Sequence, residues 1–176
     1  MLTSNEDGGP MNSEQSLVGY CGLYCGACAI YQGMIRNSAM QLLEVLGAYQ
    51  FRDIAKEAME WASELAYYQQ FEEVLQALMK MFGECLGCLA GGGPPICVIR
   101  DCCKKNGFCT CAECDNMPCD KLEPQIQCYR GHLDMLSRIK EIGENKWAKE
   151  MAQKVRRGFS YVEVMPGSEV RTNDQD

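Results

Sequence analysis

Thirteen of the 176 residues are cysteine, and three pairs of them carry a two-residue spacing: Cys25 with Cys28, Cys85 with Cys88, and Cys111 with Cys114. A tight turn of that length points both thiolates at one ion, and two such turns complete a tetrahedron. Cys97 and Cys102 form a wider version, with four residues between them. Gly22, Gly26 and Gly87 lie within these motifs, where a turn needs positive φ or backbone amides aimed at sulfur.

Nine cysteines fall between Cys85 and Cys119, in a stretch that also holds Lys104, Lys105, Asn106 and Asp115. Too few apolar neighbours are present to bury them all as core, so the spaced pairs are candidate metal ligands. A single cysteine is ordinarily a small buried hydrophobe, and for Cys103, Cys109 and Cys128 that role and the ligand role stand level. Cys103 is the second of an adjacent pair, whose side chains are not expected both to face one ion.

The segments YCGLYCGACAIY, CLGCLAGGGPPICVIRDCCKKNG and CAECDNMPCDKL, taken in order, closely resemble the cysteine-rich domain-of-unknown-function family 3795. The resemblance runs from about Tyr20 to Leu122 and implies a prokaryotic protein that binds zinc or an iron–sulfur cluster, with no assigned activity. Carried over by position, it implies ten ligand candidates: Cys21, Cys25, Cys28, Cys85, Cys88, Cys97, Cys102, Cys111, Cys114 and Cys119. One division has the first three reaching across a helical insert to Cys85 and Cys88, with the remaining five forming a second site.

Four-thiolate ligation serves Zn2+ and a 4Fe-4S cluster alike. The ferredoxin run, with proline after its last cysteine, is absent: Pro118 precedes Cys119. Zinc is therefore favoured, with the cluster as alternative. The bare spacing Cys21-x3-Cys25-x2-Cys28 also fits a radical S-adenosylmethionine motif, but Ala27 stands where that motif has an aromatic residue, and the helical pattern downstream is no βα barrel. A closed four-cysteine zinc site lacks the open position that catalysis needs, so the cysteines alone point to a binding or adaptor module with a protein partner, the alternative being an iron–sulfur redox protein or metal-dependent enzyme.

Other polar groups add little. His132, four residues after Cys128, is expected to be exposed among Arg130 and Asp134, or else a ligand. Lys154, Arg156 and Arg157 suit a solvated helix end. No Ser-His-Asp set, phosphate loop or dinucleotide fingerprint is present.

The formal charge of −7 argues against nucleic acid, whose phosphates need clustered Lys and Arg. The first residues lack the basic and apolar regions of a secretory signal, and no stretch approaches the ~18 apolar residues of a membrane span. A reducing cytoplasm is the expected setting, where clustered cysteines bind metal more often than they pair.

The elements that must position these thiols are expected to be mainly α, helices packed around a cysteine-rich, loop-rich, metal-stapled segment. Polar tails are expected at residues 1–16 and 168–176, flanking a single domain at 17–167. A helical insert at 38–82, capped by Ser38, repeats apolar residues every three to four positions, and the spacing predicts Phe71, Val74, Leu75 and Leu78 in the core. After Pro124 a helix carries Leu133, Leu136, Ile139 and Ile142 on one face, broken at Gly143 before Trp147 and Met151. Residues 159–164, FSYVEV, have strand composition.

Overall fold

The computed structural model describes residues 14–165; the expected C-terminal tail and all but the end of the N-terminal one lie outside them. The chain divides into two compact units: Gln32–Cys85, and a cysteine-rich unit formed by the residues up to Tyr31 together with those from Leu86 onward. Among the described residues every regular element is helical, the one extended pairing being an isolated antiparallel bridge between Val18 and Tyr24.

The first unit consists of α1 (Met34–Ala48), α2 (Phe51–Ala58), a 3-10 turn at Ser63–Tyr67 and α3 (Tyr68–Met81). No proline interrupts it, and the helical expectation holds. Ser38 is not its cap. Gly33 takes a left-handed φ of 69° and its carbonyl accepts from Asn37 N, so the helix begins a turn earlier. The interior is small, with Ala39, Ala55, Tyr68 and Leu75 buried and the Phe51 and Tyr68 rings 5.4 Å apart. Arg52 binds Glu72 at 2.6 Å across α2 and α3.

Of the four residues predicted to face this core, Leu75 is buried and Leu78 half-buried, but Phe71 and Val74 are 41% and 56% exposed. Periodicity identifies an apolar stripe without saying how wide a neighbour covers it. Here α3 packs chiefly on α1, which covers only one side of that stripe.

The cysteine-rich unit contains α4 (Val98–Asn106), a 3-10 turn at Cys111–Glu113, α5 (Glu123–Cys128), α6 (His132–Ile142), α7 (Glu144–Arg156) and a last 3-10 turn at Tyr161–Val164. Pro124 stands in the first turn of α5, where its missing N–H costs nothing. Gly143 breaks α6 from α7 as predicted. Leu136, Ile139, Trp147 and Met151 are buried with Val18 and Leu122, each worth about 1.5–3 kcal/mol relative to exposure.

The strand expected at 159–164 is instead a capped turn. Ser160 Oγ accepts from Val162 N while the Glu163 carboxylate accepts from Ser160 N. This reciprocal bonding of an S-x-x-E sequence outweighs β propensity in so short a segment. No helix among the described residues is long and apolar enough to cross a membrane.

Candidate metal centre

The first cysteine loop folds back on itself through Gly19 N to Leu23 O and Gly22 N to Gly19 O, both 2.8 Å. Cys25 and Cys28 then straddle a 3-10 turn closed by Cys28 N to Cys25 O. Gly22 has φ +82°, and a Cβ there would stand 2.5 Å from Leu136 Cδ2, so the loop lies directly on α6. Three hydrogen bonds, two of them buried, clamp it from the distant end of the chain. His132 Nε2 meets the Cys21 carbonyl at 2.7 Å, Tyr24 N donates to Tyr161 Oη at 2.8 Å, and Ser160 Oγ donates to the Ala27 carbonyl at 3.3 Å.

Cys88 joins this loop from the other side of the helical insert, its N–H donating to Cys25 Sγ at 3.4 Å. The Cys88 side chain also hydrogen-bonds Cys25, which lowers the Cys25 thiol pKa against the opposing effect of burial. That same bond, followed by burial, raises Cys88. Burial pushes Cys21 up to about 12, and charges on Cys88, Cys111 and Cys97 would add to it. Of Cys21, Cys25 and Cys88, Cys25 is thus the thiol most disposed to ionise.

A second group surrounds a cavity of about 30 Å3, lined by Cys102, Cys103, Cys111, Cys114, Cys119 and Lys121 with apolar walls that include Ile99 and Leu122. Cys103 Sγ lies 3.6 Å from Cys111 Sγ. Lys121 Nζ donates to Cys102 Sγ at 3.1 Å, placing one ammonium against the thiols. The Tyr20 carbonyl accepts from Cys111 N at 2.8 Å and from the Cys103 thiol at 3.7 Å, which ties this group to the first loop. Thr110 and Glu113 form a capping box at the Cys111–Glu113 turn, so the same sequence logic as at Ser160 aims Cys111 inward.

The ten candidates therefore separate unevenly. Cys21, Cys25, Cys28 and Cys88 gather at the first loop; Cys102, Cys111, Cys114 and Cys119 share the cavity. Cys97, at the start of α4, is half-buried against the core and does not line the cavity, though it lies within electrostatic range of Cys21. Cys85 is the half-buried last residue of the helical unit. Cys103, set aside in the sequence, sits in the cavity. Successive residues of a helix are about 100° apart rather than opposed, so Cys102 and Cys103 both reach its edge. Among the described residues, no three cysteine sulfurs lie within 4.8 Å of one another.

His132 is buried, not exposed: helix α6 starts at it, and its ring turns inward to the Cys21 carbonyl. A carbonyl only accepts, so Nε2 carries the proton and Nδ1 is bare, without a hydrogen-bond partner among the described residues. Cys128 is exposed at the end of α5. Two of the three basic residues at the end of α7 are engaged within the unit, Lys154 over the Trp147 ring and Arg156 paired to Glu14.

Cys109, Glu113 and Glu144 also bring ligand atoms within 4.8 Å of one another, at the surface. The Glu113 carboxylate is already bonded to Cys109 N and Thr110 N. Burial, then the Glu113 charge, raises Glu144 to about 7. A carboxyl raised in the folded state keeps a proton that the unfolded chain releases. Stability should therefore fall as pH rises from about 4.5 to about 7 and stay low above it. In Glu144→Gln that segment of the pH profile of urea unfolding is expected to flatten; an unchanged profile would mean that Glu144 ionises normally.

The family described as "Protein of unknown function (DUF3795)" matches residues 17–124, which hold twelve of the thirteen cysteines. No curated protein and no solved structure matches the chain.

Proposed function

Since the chain belongs to that family of unknown function, its role has to be read from its own thiols, and we propose that they hold metal, mainly zinc, in a structural centre of a binding or adaptor module. The observation that carries this is the cavity, where five cysteines and one lysine converge from α4, the Cys111–Glu113 turn and the segment before α5. Five thiols around one small space, with an ammonium to offset their charge, suit a cation held by thiolates. The chemistry of the donors fits zinc, and the 3.6 Å between Cys103 and Cys111 is close to the edge of a tetrahedron with Zn–S bonds of about 2.3 Å, roughly 3.8 Å. Cys21, Cys25, Cys28 and Cys88 are the second thiolate set, oriented by the Cys88 N–H and by His132 on the Cys21 carbonyl, the outer bonding that metal ligands use to fix their direction. All thirteen cysteines are free thiols, which suits a reducing cytoplasm.

An iron–sulfur cluster is the second reading, favoured by one observation. No three cysteine sulfurs among the described residues meet within 4.8 Å, so the thiols ring a space rather than a point. Elemental analysis beside a visible spectrum of anaerobically purified protein separates the two. About two zinc ions per chain and no visible absorption are expected. A brown protein that bleaches on reduction would establish the cluster, and a folded, metal-free, disulfide-bonded preparation would end both readings.

A further inference from the structure

Eleven of the fourteen large hydrophobic side chains exposed among the described residues lie in the helical unit of residues 32–85. They are ordered. Leu42, Val45 and Tyr49 recur at i, i+3 and i+7 on α1, exposed by 42%, 54% and 71%; Phe71, Val74 and Met81 recur at i, i+3 and i+10 on α3, exposed by 41%, 56% and 70%. Each stripe runs beside its helix's buried residues, Ala39 on α1 and Tyr68 with Leu75 on α3, and the two helices pack on each other. A scattered exposed leucine needs no explanation, but apolar stripes with the period of a packed face, left bare, mark an interaction surface.

Charge identifies what covers them. The unit carries eight acidic side chains against four basic ones, a net −4. Two of the four cations are already committed, Arg52 to Glu72 and Lys56 to Asp53. Glu44 and Glu73, both exposed, precede Val45 and Val74 in the chain and so lie about 100° round their helices from them, flanking the stripes on the side away from the buried residues. A second copy would bring the same negative charge to this face, and an anionic lipid surface would be repelled by it. We propose that the α1–α3 face is the docking site for a Lys/Arg-bearing amphipathic helix of a partner protein, which lays its apolar side on the two stripes and its cations against Glu44 and Glu73. This names the partner chemistry of the adaptor role proposed above and does not depend on the metal.

The test uses the full chain and synthetic 18-residue peptides followed by fluorescence anisotropy: an amphipathic Leu/Lys helix, a scrambled peptide of the same composition, and a Leu/Glu counterpart. Saturable binding of the Leu/Lys helix is expected, with the other two at least about tenfold weaker and with affinity falling as salt rises. Val45→Asp with Val74→Asp should weaken binding about tenfold or more while bound metal and helical circular dichroism stay unchanged. Glu44→Lys with Glu73→Lys leaves the apolar stripes intact and should also weaken it. Equal binding of the scrambled peptide, or indifference to both double variants, would overturn the proposal. So would a sedimenting dimer dissolved by the Val→Asp pair, which gives the face to a second copy, or avid binding to phosphatidylserine vesicles, which gives it to a membrane. Metal content is measured independently, so a failure here and a failure of the metal reading remain distinguishable.

Discussion

Cys111→Ser is expected to remove one metal ion per chain and to destabilise the cysteine-rich unit more than any other single substitution of similar size. Cys111 is buried, contacts Cys103 at 3.6 Å, and its amide holds the Tyr20 carbonyl at 2.8 Å. Structural zinc contributes an apparent ~10–16 kcal/mol to folding in small thiolate sites, and three remaining thiolates retain only part of it. Elemental analysis should register the lost ion, and thermal unfolding should shift down by ten degrees or more, on the order of 2–4 °C for each kcal/mol lost. Cys109→Ser is the control: Cys109 is exposed and does not line the cavity, so metal content and melting should stay as they are. Cys103→Ala should behave like Cys111→Ser if Cys103 is a ligand. It should cost only a small packing loss if Cys102 serves instead. Full metal retention in Cys111→Ser would remove the cavity from the metal-binding reading.

The second large effect is steric. In Gly22→Ala the new Cβ would need a φ near +82° and would stand 2.5 Å from Leu136 Cδ2 and 3.1 Å from Ile139 Cδ1. Left-handed backbone costs about 1–2 kcal/mol for a residue with a Cβ, and overpacking a core typically adds 1–3. Leu136→Ala alone should cost about 2–5 kcal/mol, because Leu136 is fully buried. Combined, the two should be less than additive, since truncating Leu136 opens space for the new methyl. Urea unfolding of the four proteins measures that coupling, and strict additivity would show that the loop is not seated on α6.

What the sequence made legible follows from what local chemistry can encode. The CxxC spacing implies a turn, and at Cys25–Cys28 and Cys111–Cys114 the chain does turn, closed by a carbonyl bond from the first cysteine to the amide of the last. The helices of residues 34–81 were legible because their period needs no knowledge of the fold. The division of the thiols was legible in part: Cys88 is expected at the first loop and its amide lies on Cys25 across the 54 residues between Tyr31 and Leu86, but that Cys103 lines the cavity and Cys97 does not is a matter of tertiary packing that no spacing reports. His132 was misjudged for the same reason: Arg130 and Asp134 say surface, while its partner is the carbonyl of residue 21. The capping boxes at Thr110 and Ser160 are readable as T-x-x-E and S-x-x-E, and at Ser160 that signal outweighs the strand composition of FSYVEV. Phe71 and Val74 were read correctly as one face of a helix and wrongly as interior.

The three hydrogen bonds that clamp the first cysteine loop have a consequence in time. Tyr161 follows Tyr24 by 137 residues. At roughly 5–20 residues per second of synthesis, the loop bearing Cys21, Cys25 and Cys28 waits on the order of ten seconds, exposed, before its clamps leave the ribosome. Cys88 emerges partway through that wait. A nascent chain therefore carries three, then four, unanchored thiols long before His132 and Tyr161 fix their directions. The directions of these thiols are thus set last, when the turn at Tyr161–Val164 forms against the loop that was made first.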